Sequence, residues 1–270
     1  METETTAQDV IEQLGTSDNA KNRLARWKSN RPAVARHVLQ HVTRVPYIAS
    51  IDQYEKVLAE TEPPLAEIKK SRIGKVREMA DWSPNFAFMH VFHYALEEIG
   101  EPYTYQGFRD FCREDVRARE MIWDPAVERI RQTKQKYDDG QAREAMRWRV
   151  ATAYCSFVRE LRTFAYIRNC GIPLKIHPLA DALYRVDAWI DKVVVDLYLV
   201  NPQYRQGSEG RKIPSRDIVG AGFHYLDLTI PNKRHFGRIY LVDDEEAEKA
   251  ARKISTFWKT VASGLDSKSK

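Results

Sequence analysis

Apolar and polar positions change rhythm once along the chain, near Gly140. From about Thr16 to Gly140, apolar residues recur at helical spacing between breakers, with no sustained strand alternation. Ser17 or Asp18 caps a predicted helix through Leu24 and Trp27, which Arg31-Pro32 interrupts. Helical period resumes from Ala33 to about Thr43. Ser50 opens a further helix ended by Glu62-Pro63-Pro64, and Leu65 to Met79 is another. Ser83-Pro84 starts a more apolar one through Phe86, Met89, Phe92 and Leu96, with Gly100 as its C-terminal cap. Tyr105 to Met121 and Pro125 to Tyr137 carry the helical pattern to the turn signal Asp138-Asp139-Gly140.

Beyond Gly140 the pattern predicts a long helix from Gln141 to about Asn169, then strands rich in β-branched and aromatic residues. These are Leu174 to His177, Leu183 to Ile190, Val193 to Val200, Phe223 to Ile230 and Arg238 to Val242, with a polar loop from Asn201 to Ser215. Asp243 and Asp244 cap a final helix, Glu245 to Ala262. The expected organisation is an all-helical region at residues 1–140, a mixed α/β or α+β domain at 141–262 and a charged tail at 263–270.

Composition narrows the class. Of 270 residues, 43% are apolar and 30% charged, the balance of a cored, soluble protein. No stretch approaches the roughly 18 consecutive apolar residues of a membrane span. The polar start METETTAQD lacks the basic and apolar regions of a signal peptide, so a cytoplasmic location without membrane contact is expected. Cys112, Cys155 and Cys170 match neither a zinc ribbon nor a CxxC pair and are expected as reduced thiols. The net charge of +5 is a small excess, so partners are judged from where charges fall.

The segment Arg185 to Tyr198 carries the chemistry. If Asp191-Lys192 is a two-residue hairpin loop, Ile190 faces Val193 and counting outward sets Asp187 opposite Asp196. One face is then wholly apolar, while the other shows Arg185, Asp187 and Trp189 beside Val194, Asp196 and Tyr198. Opposed carboxylates repel, so either a divalent cation or a guanidinium such as Arg185 should compensate. Glu160, three residues after Phe157 and four before Phe164, lies on the buried-side stripe of the preceding helix. It suits either a shared metal site or a salt bridge to Arg159, Arg162 or Arg185.

Glu160, Asp187 and Asp196-Leu197-Tyr198 in this order, with the closing strand and helix, resemble the core of the PD-(D/E)XK nuclease superfamily, over roughly Gln141 to Ala262. The resemblance implies a restriction-endonuclease-like mixed sheet in which Glu160, Asp187 and Asp196 hold Mg²⁺, with Mn²⁺ as an alternative, for metal-assisted phosphodiester hydrolysis. Tyr198 stands where the family pattern has a catalytic lysine. The expected function is therefore a restriction-type or mobile-element DNA endonuclease, and its rival is a catalytically inactive nuclease fold that binds DNA or serves assembly.

Basic residues supply the expected nucleic-acid contacts. Arg205, Arg211, Lys212 and Arg216 surround only Glu209 in the loop after Val200, and Arg143 and Arg147 stand at the start of the long helix. Lys21 to Arg36 and Arg109 to Arg119 are further basic runs, read equally well as solvated helix faces. His90, His93 and Glu97 do not form an H-E-x-x-H zinc motif and are expected as packing residues. DNA is the expected partner, with a homodimer suited to cutting both strands and the N-terminal helices open to a protein partner.

Overall fold

The computed structural model describes residues 3–62, 76–133, 135–200, 214–236 and 239–264. The chain is a mixture of helices and two small sheets, and it divides into two compact units that no single cut in the sequence separates. The first unit gathers Met1–Ile48, Arg162–Arg234 and Tyr240–Lys270; the second holds Ala49–Leu161 with His235–Ile239.

In the first unit, the N-terminal region is not all-helical. β1 (Thr5–Thr6) pairs antiparallel with β2 (Val42–Thr43), and between them run α1 (Ala7–Leu14), α2 (Asp18–Asn30) and α3 (Pro32–Val38), before α4 (Val45–Ile48). α1 was absent from the expected pattern, yet it has a full capping box. The Thr6 hydroxyl accepts the Asp9 N–H at 3.2 Å, and the Asp9 carboxylate accepts the Thr6 N–H at 2.7 Å. Ser17 caps α2 as expected, and Pro32 opens α3 where its missing N–H costs nothing.

The larger sheet has the order β3 (Ala188–Ile190), β4 (Val193–Val200), β5 (His224–Phe236) and β6 (Ile239–Val242). β3 and β4 are antiparallel, whereas β4 and β5 are parallel, which makes the sheet mixed. Two expected strands are mostly something else. Leu183 and Tyr184 close a π-helical turn, Ala180–Tyr184, after which Arg185 takes a left-handed φ of 61°, so only Ala188–Ile190 remain extended. Leu174 to His177 shrinks to one bridge, with backbone bonds exchanged between Lys175 and Trp189.

The N-terminal elements brace this sheet. Trp189 donates its indole N–H to Gln13, Ser17 donates to the Ile218 carbonyl at 2.7 Å, and Arg23 donates to the Leu183 carbonyl. Tyr47 both donates to and accepts from the Ile176 backbone at 3.0 Å. Arg162, 1% exposed, donates to the Val242 carbonyl and to Asp244 at 2.9 Å, tying its helix to the end of β6 and the start of the last helix.

The second unit is helical: α5 (Ile51–Glu60), α6 (Arg77–Ala80), α7 (Phe88–Ile99), α8 (Tyr105–Glu114), α9 (Val116–Ala118), a π-helical turn at Arg119–Trp123, and α10 (Asp124–Thr133). The expected helix Tyr105 to Met121 is broken at Asp115, whose carboxylate accepts the Ala118 N–H at 2.7 Å and starts a new turn. α7 begins four residues after Pro84 and ends, as expected, at a left-handed Gly100. Most of Leu65 to Met79 lies outside the described residues. The core is a ring cluster centred on Phe92, with Phe108 at 5.0 Å and Phe157 at 5.3 Å. Tyr103 and Tyr154 satisfy their buried hydroxyls on the Phe92 and Tyr103 carbonyls.

α11 (Asp139–Asn169) runs through both units, and α12 (Ser215–Val219) and α13 (Asp244–Ala262) complete the first.

His177 gives the first unit a defined response to acid. It is buried, its Nδ1 accepts the Leu179 N–H at 3.0 Å, and its Nε2 meets the His41 carbonyl at 3.2 Å, so the neutral ring is held. Burial pulls its pKa down to about 4. The unfolded chain protonates this ring near 6.5, so the stability it contributes is full above that pH and is lost as pH falls towards 4, by roughly 3 kcal/mol at most. Urea unfolding at pH 7 and 4.5 should show the wild-type protein losing about 2 kcal/mol more than His177→Gln; equal losses would show that this ring does not set the acid response.

Candidate active site

The site is built on a hairpin register. Ile190 pairs with Val193, Trp189 with Val194 and Ala188 with Val195, as the two-residue loop requires. Asp191 takes a φ of 48°, a region that aspartate tolerates better than most residues. Its carboxylate accepts the Trp258 indole N–H at 2.8 Å, and the Lys192 ammonium lies 4.8 Å from the Phe223 ring centre. The ladder stops one pair short of the two aspartates. Instead of facing Asp196 across a continued strand, Asp187 turns its carboxylate to accept the Leu197 N–H at 2.7 Å.

The carboxylate in register with Asp196 is Asp227, on the other side. In the parallel pair, Asp196 is set against Asp227, with Tyr225 and Thr229 against Val194 and Tyr198. A signal for it was present in the sequence. Leu226-Asp227-Leu228-Thr229 repeats the pattern of Val195-Asp196-Leu197-Tyr198, which is what two neighbouring strands sharing faces would show.

Asp196 is 8% exposed. Its Oδ2 accepts the Ser215 hydroxyl at 2.7 Å, while its Oδ1 is buried with no hydrogen-bond partner among the described residues. Burial raises its pKa, Ser215 opposes that, and the negative Asp227 adds to it against the weaker pull of Arg216. Arg216 donates to Asp227 at 2.8 Å, the one predicted loop cation that the described residues bring to the carboxylates. Tyr198 is 54% exposed. Burial, then the fields of Asp196, Asp227 and Asp187, push its phenol above the ordinary value, so it stays a neutral hydrogen-bond donor beside three carboxylates.

The other predicted residues belong to the second unit or fall outside the described residues. Glu160 lies in the part of α11 that belongs to the second unit, half-buried and within the field of Arg159. Arg205, Arg211 and Lys212 fall outside the described residues. Arg143 pairs with Asp139 at 2.9 Å, and Arg147 is exposed, both on α11 in the second unit. His90 and His93 are buried in α7, with the His93 ring 5.1 Å from that of Phe157. Cys112 and Cys155 are buried thiols, and Cys170 is exposed.

Among the described residues no group of three or more His, Cys, Asp and Glu side chains is arranged to hold a metal ion. The sheet nevertheless supplies a pair of carboxylates in register, with one oxygen lacking a partner among the described residues. Mg²⁺ is commonly held by one or two carboxylates while keeping several waters, so this donor set fits it. None of the family models, curated proteins or solved structures compared with the chain matches it. No described helix is long and apolar enough to cross a membrane.

Asp196 and Asp227 should behave as a repelling pair in metal-free buffer. Urea unfolding of Asp196→Asn, Asp227→Asn and the double variant should give non-additive effects, with a coupling of about 1 kcal/mol because each change relieves the same repulsion. Asp196→Asn should leave stability unchanged or raised. A loss of more than about 2 kcal/mol with no coupling would mean that Asp196 is held favourably as an anion by its protein neighbours alone.

Proposed function

We propose that the exposed edge of this face, around Asp196, Asp227 and Asp187, is the centre of a Mg²⁺-dependent DNA endonuclease of restriction or mobile-element type. The observation that carries the reading is the Asp196 carboxylate, buried, in register with a second aspartate and with one oxygen unmatched among the described residues. A buried carboxylate in that state calls for a cation. The mixed sheet, preceded in the chain by α11 and followed by α13, supports the likeness to the PD-(D/E)XK core, with Asp196 at the second acidic position.

Asp196 and Asp227 would hold the ion. Bound Mg²⁺ supplies a coordinated water of lowered pKa and neutralises charge on the scissile phosphate. Ser215 fixes the orientation of Asp196 through its hydroxyl. Asp187 secures the end of β3 against β4 through the Leu197 N–H, which sets the distance between the strands at the site. Arg216, anchored on Asp227, presents a guanidinium where Tyr198 offers only a neutral phenol, and so takes the phosphate-facing part of the missing lysine's role. Arg205, Arg211 and Lys212, close after β4 in the sequence, remain the proposed contacts to the DNA backbone.

One observation favours the second reading, an inactive nuclease fold that binds DNA. Tyr198 is exposed at the position where the family pattern places its lysine.

The two separate on supercoiled and linear DNA with Mg²⁺ or Mn²⁺. Active enzyme predicts metal-dependent nicking that falls at least about 100-fold in Asp196→Asn and in Asp227→Asn, the scale of losing a group that stabilises the transition state. Tyr198→Lys should raise the rate. DNA binding that is unchanged in the aspartate variants, without cleavage in either metal by wild type or Tyr198→Lys, would establish the inactive reading.

A further inference from the structure

The second unit encloses a cavity of about 320 Å³ that the sheet carboxylates do not touch. It lies among α8, the π-helical turn, α10 and α11, with Phe108, Ile122, Trp123, Ile130, Met146 and Val150 in its wall. Its volume is at the small end of the range for ligand sites, and π-helical segments are frequent at such sites. Val127, also part of the lining, is an exposed large apolar residue, so apolar surface continues to the solvent side.

Three arginines belong to the same lining: Arg109, Arg143 and Arg147. The sequence places them in two separate basic runs, on α8 and on α11, and the fold brings both runs to one cavity. Arg143 is held by Asp139. Arg109 and Arg147 have no carboxylate partner among the described residues. Both act on the Tyr105 hydroxyl electrostatically, which puts the two guanidiniums near the same group. That hydroxyl is already used, donating to the Arg147 carbonyl at 3.0 Å. The cavity therefore offers an apolar wall and two cations without a carboxylate partner among the described residues, while its other polar groups, Arg143 and the Tyr105 hydroxyl, are already engaged.

We propose that this cavity binds a small amphiphilic carboxylate, its apolar body against Phe108, Ile122, Trp123 and Met146 and its anionic head paired with Arg109 and Arg147. The lining selects against a nucleobase, whose several edge donors and acceptors would lie unmet against an apolar wall. It favours an anion over a neutral apolar molecule because only the anion gains charge-assisted bonds to the two guanidiniums. The site is independent of the nuclease reading and would make the helical unit a ligand-responsive part of the protein.

Calorimetric titration of the full chain with octanoate and with 1-octanol tests this, with Arg109→Gln/Arg147→Gln as the comparison protein and far-ultraviolet circular dichroism confirming that its helices are intact. Octanoate should bind with one-to-one stoichiometry, about tenfold or more tighter than octanol, a gap of the size expected for a charge-assisted pair. The double variant should bring the two ligands to equal affinity. No octanoate binding at millimolar concentration, equal affinity of the wild type for both ligands, or a carboxylate preference that survives in the variant would each overturn the proposal.

Discussion

The site depends on strand register. Side chains alternate with a period of two, so a one-residue slip of β4 against either neighbour would send Asp196 to the apolar face and replace it with Val195 or Leu197. The register is held from both ends. At the hairpin, Asp191 takes the left-handed conformation and is caught by Trp258, while the Lys192 carbonyl accepts the His224 N–H at 2.8 Å and so links the loop to the start of β5. At the other end, Asp187 captures the Leu197 N–H that a longer β3 would have paired. These bonds set two aspartates side by side on adjacent parallel strands, an arrangement that costs free energy unless a positive charge meets it.

The residues that secure this register come from far along the chain. Gln13 reaches Trp189, Ser17 and Asn19 reach the carbonyls of α12, and Arg23 reaches the π-helical turn before β3. α12 in turn carries Ser215, which donates to Asp196, and Arg216, which donates to Asp227. The first 48 residues thus belong to the unit that carries the sheet site. α1 thus braces the hairpin through the Gln13 contact to Trp189.

How much of this was legible followed from how local its cause was. The hairpin register was readable because the Asp191-Lys192 loop and the β-rich runs on either side fix it within a few residues. The helix ends at Ser17, Ser50 and Gly100 were readable because their caps are side chains adjacent in sequence. Asp227 is not legible in this way because parallel pairing joins it to Asp196 across 30 intervening positions, and no turn rule reports such a pairing. Leu183 and Tyr184 have strand-like side chains yet close a π-helical turn, because burial in the first unit outweighs their intrinsic preference. Arg147 reads in the sequence as a phosphate contact and Arg109 as part of a run that a solvated helix face explains equally well, since sequence spacing does not show that α8 and α11 share a cavity.

Binding of a divalent cation at Asp196 and Asp227, as proposed, is read most directly from amide resonances broadened by added Mn²⁺, without reference to DNA or to turnover. Broadening should be selective for Asp187, Asp196 to Tyr198, Ser215-Arg216 and Leu226 to Leu228, displaced by excess Mg²⁺ and absent from the Asp196→Asn/Asp227→Asn protein. Broadening centred elsewhere, or unchanged when both aspartates are replaced, would contradict it.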